Sequence, residues 1–191
     1  MSYHFYAMLS RMKNIYRWGL MRNTKQENLS EHSLEVAFIA HALAVINNKK
    51  LGGEINPERT ALSAMFHDTS EIITGDMPTP IKYYNPEIKD VYKKIETVAE
   101  DKLISYLPEY MKEDITGIYK NIPHDMKKII KAADKISAYI KCLEEIKMGN
   151  REFEIAAKST EKAIHDMNCE EAEIFLKDFI PSFNLSLDEQ N

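Results

Sequence analysis

The sequence predicts an all-α protein that folds as a compact helical bundle, and three observations support this prediction. Only 6 Gly and 7 Pro occur among the 191 residues. Apolar residues recur at the three- and four-residue spacing of a helix. No stretch alternates apolar and polar residues as a half-buried strand does. Because an average domain has roughly 150 residues, we expect residues 1–191 to form a single domain.

The first two predicted helices are separated by a polar loop. Apolar residues recur at helical spacing over residues 3–16, which predicts a first helix that ends before Gly19. The polar loop then leads to Asn28, and either Asn28 or Ser30 can cap a second helix. Its apolar residues over 34–46 lie on almost every side. Such a helix is expected to be buried at the centre of the fold.

The later helices begin at proline signals. Asn56-Pro57-Glu58 combines an N-cap, a proline at the first helical position and a first-turn acid, which predicts a third helix to about residue 73. Gly75 and the prolines of residues 74–80 end this helix in a short, stiff loop. Asn85-Pro86-Glu87 repeats the start signal. The remaining predicted helices cover residues 86–107, 124–148, 152–167 and 170–179, with Gly149 as a C-cap.

Charge and composition exclude several classes of protein. The chain has 25 Lys+Arg against 30 Asp+Glu, a net charge of −5, which disfavours binding to a nucleic-acid polymer. Cys142 and Cys169 lack the spacing of a zinc cluster or a disulfide framework, so a cytoplasmic location fits best. The longest strongly apolar stretch, residues 36–46, is shorter than the roughly 20 residues that cross a bilayer. We therefore expect no membrane segment.

Three acidic or histidine positions are unusual for helix interiors. Asp134 lies at the edge of the apolar stripe of its predicted helix, where a carboxylate is costly unless it is paired or binds a metal. His67 and Asp68 follow an apolar run in the predicted third helix, where they would stand about 100° apart and point into one cavity. The ordinary alternatives are a salt bridge from Asp134 to a neighbouring helix and a surface pair at His67 and Asp68.

His32 adds a fourth position, in the first turn of the helix expected at the centre. A core histidine with no role in binding is the ordinary alternative. Two imidazoles and two carboxylates on three helices form a nitrogen and oxygen set without thiolate, which suits magnesium or a divalent first-row metal. The predicted ligands are His32, His67, Asp68 and Asp134. We expect one divalent ion per chain, either Co, Mn, Mg or Zn.

The order of these residues, H…HD…D, resembles that of the HD-domain metal-dependent phosphohydrolases. From about Phe5 to Glu189 the chain resembles the bacterial 5′-deoxynucleotidases, which hydrolyse deoxyribonucleoside 5′-monophosphates. Gly19 departs from the family pattern, in which proline follows the tryptophan, so a looser loop is expected there. The segments that carry the resemblance include Arg17-Trp18, Glu27-Asn28, Ser30-Glu31-His32-Ser33-Leu34, His67-Asp68 with Ser70-Glu71, Thr74-Gly75-Asp76 with Pro78-Thr79-Pro80, and Lys141-Cys142-Leu143-Glu144-Glu145.

The resemblance implies a role for each candidate residue. Glu71 would be catalytic, orienting or deprotonating the attacking water, and Arg17 would orient the phosphate through a bidentate contact. Trp18 would form a wall of the nucleoside pocket that selects against ribonucleotides, and Asp76 would accept a hydrogen bond from a sugar hydroxyl. The family also implies a homodimer. The substrate-binding residues implied are Arg17, Trp18, His32, Asp68, Thr74, Asp76, Met77, Pro78, Thr79 and Asp134.

Local charge agrees with a small anionic substrate. The first 26 residues contain five basic residues and no acid, which raises the positive potential around Arg17. Simpler interpretations exist for the same residues: a solvated basic helix around Arg17, ordinary core packing for Trp18, and a turn that only ends a helix at residues 74–80.

Two other functions remain open. An HD phosphohydrolase can act on another nucleotide phosphate bond, either the triphosphate of a dNTP or a cyclic diester. A non-catalytic helical module would bind a nucleotide without turnover. The presence of Glu71 and of all four predicted ligands disfavours the non-catalytic module.

Overall fold

A computed structural model describes residues 2–82 and 84–191, with the side chains of residues 79 and 80 left out of the description. Within this described part the protein is helical and contains no strand, which confirms the predicted all-α class. One isolated antiparallel bridge joins Tyr16 to Asn28. The α-helices are α1 (Phe5–Leu9), α2 (Leu29–Lys50), α3 (Pro57–Met65), α4 (Glu71–Thr74), α5 (Thr79–Lys82), α6 (Pro86–Ser105), α7 (Glu109–Tyr119), α8 (His124–Lys147), α9 (Glu154–Asp166) and α10 (Glu170–Asp178). The 3₁₀ helices are Ser10–Asn14, Arg151–Phe153, Ile180–Asn184 and Asp188–Gln190.

The described residues form two compact units. The first comprises residues 2–20, Gln26–Ser33 and the described part of Phe66–Ile122. The second comprises Met21–Lys25, Leu34–Met65 and Pro123–Asn191. The first turn of α2 therefore belongs to the first unit and the rest of α2 to the second. The prediction of a single domain stays a prediction.

The core of the first unit joins its helices around four buried side chains. Phe5 of α1 packs with Leu103, Leu107 and Ile115 from α6, its C-terminal turn and α7. Burying large apolar side chains stabilises a fold by about 1.5 to 3 kcal/mol each. The partly buried side chains packed against this cluster are Met8, Leu9, Phe66, Ile72, Tyr106, Met111, Ile118 and Tyr119. Because Phe66 and Ile72 flank residues 67–71, this core holds that segment in place.

The second unit is organised around α8. Helix α9 packs along α8, and α3 and α10 also contact it. The apolar stripe predicted for this helix is buried, as shown by Ile129, Ile136 and Ile140. The predicted C-cap is also confirmed, because Gly149 has φ +85° and its N–H donates to the carbonyl of Ile146 at 2.8 Å.

Helix α2 begins at the predicted cap. The Asn28 side chain accepts hydrogen bonds from the backbone N–H groups of Ser30 and Glu31 at 3.0 and 3.1 Å. The Glu31 carboxylate in turn accepts from the Asn28 N–H at 3.2 Å, so the two side chains form a capping box. These bonds set the point at which the chain turns into the helix, four residues before His32.

Helix α2 is longer than the apolar stretch on which the expectation of no membrane segment rests. Residues 36–46 alone are too short to cross a bilayer, but α2 has 22 residues and is long and apolar enough to do so by length and composition. Half of its most apolar window is buried inside the protein. A core helix has the same properties, so the length and composition of α2 are weak evidence for a membrane span.

The predicted third helix is broken, which corrects the placement of two site residues. Helix α3 ends at Met65, a turn occupies residues 66–70, and α4 begins at Glu71. The hydroxyl of Thr69 donates to the carbonyl of Phe66 at 2.8 Å, and its N–H approaches the same oxygen at 3.2 Å. Local side-chain bonds of this kind compete with regular helical bonding. His67 and Asp68 therefore lie in a turn and not on a helix.

Two further differences between the predicted and the observed helices lie in the first unit. The helix predicted over residues 3–16 is a short α1 followed by the 3₁₀ helix Ser10–Asn14. Helix α7 was not predicted from the sequence. The helices predicted to start at Pro86, His124 and Glu170 do so.

Candidate metal centre and active site

His32 is held at the start of α2. Its side chain is fully buried. Its Nδ1 lies 3.8 Å from Oε1 of Glu27, and its Nε2 lies 3.6 Å from Oδ2 of Asp68. The imidazole therefore stands between two carboxylates, one on each side of the ring.

The turn at residues 66–70 brings His67 and Asp68 to the same point. Nε2 of His67 lies 3.0 Å from Oδ2 of Asp68, and the His32 and His67 ring centroids are 5.3 Å apart. Ligand atoms of His32, His67 and Asp68 lie within 4.8 Å of one another. Two imidazole nitrogens and a carboxylate oxygen directed at one small volume form a donor set that suits a divalent cation. The first unit thus brings together three of the four predicted ligands.

Asp134 is the fourth predicted ligand. Asp134 lies in the middle of α8, in the second unit, and is partly buried. The predicted position at the edge of the buried stripe is confirmed, since Ala133 and Ile136 beside it are buried and Asp134 is less so. Its role as a ligand stays a prediction.

Arg17 lies beside the metal-ligand candidates. Its Nη1 donates to Oδ2 of Asp68 at 3.5 Å, and its Nε donates to Oε2 of Glu27 at 3.3 Å. The guanidinium is mostly buried, with 12% of the side chain exposed. The structure places Arg17 next to Asp68, after a 3₁₀ helix and an extended segment instead of a continuous helix. Its role in phosphate binding stays a prediction.

Trp18 follows Arg17 in an uncommon backbone conformation. Its φ is +59°, in the left-handed backbone region that residues other than glycine rarely adopt. Its indole N–H donates to Oε2 of Glu27 at 3.0 Å, and the residue is partly exposed. A partly exposed, hydrogen-bonded indole is compatible with the wall of a pocket. A Cβ atom at the neighbouring Gly19 would meet no other atom within 4 Å.

Glu71 is the first residue of α4 and is buried. Among the described residues its Oε2 has no hydrogen-bond partner. Burial raises the pKa of Glu71 from 4.5 to about 9, together with the negative charges of Asp68 and Asp76. The positive charges of Lys82 and Arg17 act in the opposite direction. A buried carboxyl with a strongly raised pKa beside a candidate metal site is a typical catalytic acid or base.

The predicted loop after α4 begins with Thr74 and Gly75. The Thr74 hydroxyl donates to the Gly75 carbonyl at 3.0 Å and lies 3.3 Å from the hydroxyl of Tyr92. Gly75 has φ +75°, a conformation that favours glycine, and ends the helix as predicted.

Asp76 is partly buried in this loop, and burial raises its pKa above 3.8, while the positive charge of Arg17 lowers it. Met77 and Pro78 are partly buried as well. Thr79 begins α5, but its side chain lies outside the described residues. The structure thus places Asp76 in the electrostatic surroundings of Arg17, and the contacts of the Thr79 side chain stay a prediction.

Sequence reasoning assigned no role to two charged residues near this site. Glu27 accepts hydrogen bonds from both Arg17 and Trp18. Nζ of Lys82 lies 2.9 Å from Oε1 of Glu96 and 4.8 Å from the ring centroid of Tyr92. Glu27 was visible as an isolated acid before the cap of α2. No sequence signal indicated Lys82, because its surroundings depend on the packing of α5 against α6.

The match to a protein-family model decides the family. The model described as 5′-deoxynucleotidase YfbR-like matches residues 4–183. The chain belongs to this family. It is 56% identical over 188 residues to a 5′-deoxynucleotidase of Vibrio parahaemolyticus, with 97% of each chain covered. It is 54% identical over 188 residues to a 5′-deoxynucleotidase of Photorhabdus laumondii, covering 97% of this chain and 95% of that one.

Solved structures show the fold of this YfbR-like protein. A crystal structure of an HD-domain phosphohydrolase from Listeria innocua superposes with a TM-score of 0.82 at 24% identity, covering 98% of this chain and 91% of the other. The HD phosphohydrolase of cyanophage S-2L, bound to dA and one catalytic Zn²⁺, superposes with a TM-score of 0.53 at 20% identity, covering 97% and 88%. The predicted HD-type helical fold is confirmed.

Proposed function

We propose that this YfbR-like protein is a metal-dependent 5′-deoxynucleotidase that converts deoxyribonucleoside 5′-monophosphates to deoxynucleosides and phosphate. The observation that carries the proposal is the convergence of His32, His67 and Asp68 on one point, with the Arg17 guanidinium 3.5 Å from Asp68. A cation site beside a fixed arginine suits a phosphate monoester dianion. The names of the relatives, which are more than half identical to this chain, support the same substrate class.

The metal would be held by His32, His67, Asp68 and Asp134. One divalent ion bound there supplies Lewis-acid chemistry, polarising a phosphate oxygen and making water more acidic. The donor set accepts Co, Mn, Mg or Zn, and the Zn²⁺ in the cyanophage structure supports a divalent ion of this kind. An Asp134→Ala variant should bind the ion more weakly, and an unchanged affinity would remove Asp134 from the ligand set.

Arg17 would bind the phosphate. Its Nε is occupied by Glu27, which fixes the plane of the guanidinium. A planar guanidinium held in this way can contact two phosphate oxygens at once. Arg17 would therefore orient the phosphate for attack by water.

Glu71 would move the proton. Its Oε2 has no hydrogen-bond partner among the described residues, so this oxygen is placed to accept a proton from the attacking water. The same group, once protonated, can return the proton to the 5′-oxygen as the bond between phosphorus and that oxygen breaks. Nearby positive charge favours the ionised form that starts the reaction, and Arg17 and Lys82 already act in that direction.

Trp18 would flank the sugar, because it follows directly after the phosphate-binding Arg17. An indole that fills the space beside C2′ rejects a ribonucleotide by steric exclusion and by leaving the 2′-hydroxyl without water. Asp76 would accept from a sugar hydroxyl, and the contacts of Thr74, Met77, Pro78 and Thr79 would complete the pocket. His32, Asp68 and Asp134 would also face the substrate phosphate.

We also propose that the protein acts in the cytoplasm as a homodimer. Cys142 and Cys169 are both buried thiols, which fits a reducing compartment. The dimer follows from the family resemblance.

A product assay tests the function against its alternatives. The protein, supplied with divalent metal, is incubated separately with dAMP, dATP and a cyclic nucleotide, and the products are separated. We expect deoxyadenosine and phosphate from dAMP. Tripolyphosphate from dATP, or opening of the cyclic diester with dAMP left intact, would favour another HD phosphohydrolase. Nucleotide binding without any product would favour a non-catalytic module.

A further inference from the structure

We propose that Glu27 is a positioning residue that holds the phosphate contact and the nucleoside contact of the active site together. The proposal deepens the proposed 5′-deoxynucleotidase function and rests on it for the roles of Arg17 and Trp18.

One oxygen of Glu27 anchors both neighbours. Oε2 accepts from Nε of Arg17 at 3.3 Å and from the indole N–H of Trp18 at 3.0 Å. Only 12% of the Glu27 side chain is exposed. A charged acceptor forms stronger hydrogen bonds than a neutral one, and limited access of water strengthens them further. The two side chains are therefore oriented by a single atom.

The backbone fixes the position of this carboxylate. The N–H of Arg17 donates to the Glu27 carbonyl at 3.0 Å, and the N–H of Leu29 donates to the carbonyl of Ile15 at 2.9 Å. These bonds flank the bridge between Tyr16 and Asn28. Glu27 is thus held across from Arg17 directly before the capping box of α2. Its side chain has little freedom to move away from the two donors.

The conformation of Trp18 requires such an anchor. A left-handed φ of +59° in a residue with a bulky side chain persists only where surrounding contacts determine it. The indole bond to Glu27 is one such contact, and it joins the side chain to the opposite segment. Its removal takes away one contact that holds Trp18 in this conformation.

The second oxygen of Glu27 faces the candidate metal site. Oε1 lies 3.8 Å from Nδ1 of His32, on the side of the ring away from Asp68. A carboxylate behind a histidine ligand favours the ring orientation that points the other nitrogen at the metal; at 3.8 Å Glu27 acts on His32 through charge and not through a hydrogen bond. Glu27 therefore contacts three elements of the site: the guanidinium, the indole and the imidazole. Removal of this carboxylate should affect phosphate binding and sugar selection together.

Two variants and one control test the proposal. Glu27→Ala removes the acceptor, whereas Glu27→Gln keeps an oxygen acceptor without the charge. Glu31→Gln makes the same chemical change at an exposed position four residues later. Far-UV circular dichroism verifies that each variant folds, and Glu27→Gln keeps the test usable if Glu27→Ala does not.

The first readout does not depend on activity. Trp18 is the only tryptophan in the chain, so its emission and its quenching by acrylamide report the indole directly in metal-free protein. We expect a red-shifted and more readily quenched emission for Glu27→Ala, a smaller change for Glu27→Gln, and none for Glu31→Gln. Unchanged emission in folded Glu27→Ala would overturn the proposal even if the protein hydrolyses dNMPs.

The second readout is kinetic. We expect kcat/KM for dAMP to fall by about 10- to 100-fold in Glu27→Ala, in the range found when a residue behind a metal ligand is removed, and the dAMP to AMP preference to shrink as well. Glu27→Gln should raise KM with a smaller loss of sugar preference. A fall in kcat/KM with full sugar preference would contradict a shared anchor. If the wild type hydrolyses no dNMP, the proposed function fails, and the emission still decides whether Glu27 orients Trp18.

Discussion

At the scale of single residues, Glu71 combines a structural cost with a chemical use. Its carboxyl is buried with one oxygen lacking a hydrogen-bond partner among the described residues. Burial of this kind disfavours the charged form and destabilises the fold at neutral pH. A group kept despite that cost, with its N–H 2.9 Å from the Asp68 carbonyl, fits the proposed catalytic role.

Replacing Glu71 by Gln should therefore lower activity and raise stability. We expect kcat for dAMP to fall by roughly 100-fold or more, the scale of a positioned acid or base, with little change in metal affinity.

Folding raises the pKa of Glu71 from 4.5 to about 9, so the folded protein keeps a proton that the unfolded chain loses. The metal-free wild type therefore loses stability as pH rises between these values. Glu71→Gln should lose less over that range in urea unfolding. Equal kcat in the variant and the wild type would exclude the catalytic role.

Trp18 carries the prediction of sugar selectivity. An indole that excludes the 2′-hydroxyl contributes about 1 to 3 kcal/mol, which corresponds to roughly tenfold or greater preference for dAMP over AMP. Trp18→Ala should reduce this preference, measured as the ratio of the two kcat/KM values. Phe179→Ala, at an exposed aromatic outside the site, is the control. A preference that survives in Trp18→Ala would assign selection to another residue and mark Gly19 as a real divergence of the loop.

Sequence reasoning reached the ligand candidates because their chemistry is unusual for a core. His32, His67 and Asp68 stood out as polar groups in apolar surroundings, and the structure brings them together. Glu27 belonged to a segment that carries the family resemblance, but the sequence indicated no role for it, since an acid in a polar loop is common. Its role depends on the pairing of two segments ten residues apart, which no local pattern records.

At the scale of elements, the break between α3 and α4 was beyond local prediction. Residues 57–73 have helical spacing throughout, and no glycine or proline interrupts them. The turn depends on the Thr69 side chain, which donates to the Phe66 carbonyl and contacts the Tyr119 hydroxyl at 2.9 Å. Because α7 supplies that hydroxyl, a tertiary contact accompanies the local one. The capped helices, in contrast, began where their signals indicated.

The loop Met21–Lys25 is tied to α8 by the buried Glu145. Its carboxylate pairs with Lys141 and accepts from the Thr24 N–H and hydroxyl at 2.8 and 2.7 Å. Asn150 donates to the same carboxylate at 2.8 Å. Burial opposes ionisation of Glu145, but the hydrogen bonds from Lys141, Thr24 and Asn150 outweigh it and hold its pKa below the usual range.

Glu145→Gln should strongly destabilise the protein, because it leaves the buried ammonium of Lys141 without its charged partner. We expect a loss of about 3 to 5 kcal/mol in the free energy of unfolding, the usual result of breaking a buried pair, measured with urea at pH 7. Glu144→Gln, the exposed neighbour, should be close to neutral. Since the pKa is lowered on folding, the carboxylate's contribution is present above about pH 4.5 and is lost as pH falls below it. Equal stability of both variants would refute the anchoring role.

At the scale of the whole molecule, the proposed homodimer makes a direct prediction. Sedimentation velocity of the wild type at micromolar concentration should give the mass of two 22.1 kDa chains. A monomer would remove the dimer and leave the chemistry of the first unit unaffected. The oligomeric state depends on surfaces that a linear pattern does not reveal, so the sequence supports it only through the family resemblance.

The proposed metal site of the first unit is expected to make the protein a hydrolase of deoxynucleoside monophosphates. The most direct test is phosphate release from dAMP and AMP by protein stripped of metal with a chelator and then titrated with Co²⁺, Mn²⁺, Mg²⁺ or Zn²⁺. We predict no release from the stripped protein, recovery that is complete at about one bound ion per chain, and faster release from dAMP by roughly tenfold or more. Full activity after complete removal of metal would contradict a metal-dependent reaction, and equal rates with dAMP and AMP would contradict selection of the deoxyribose.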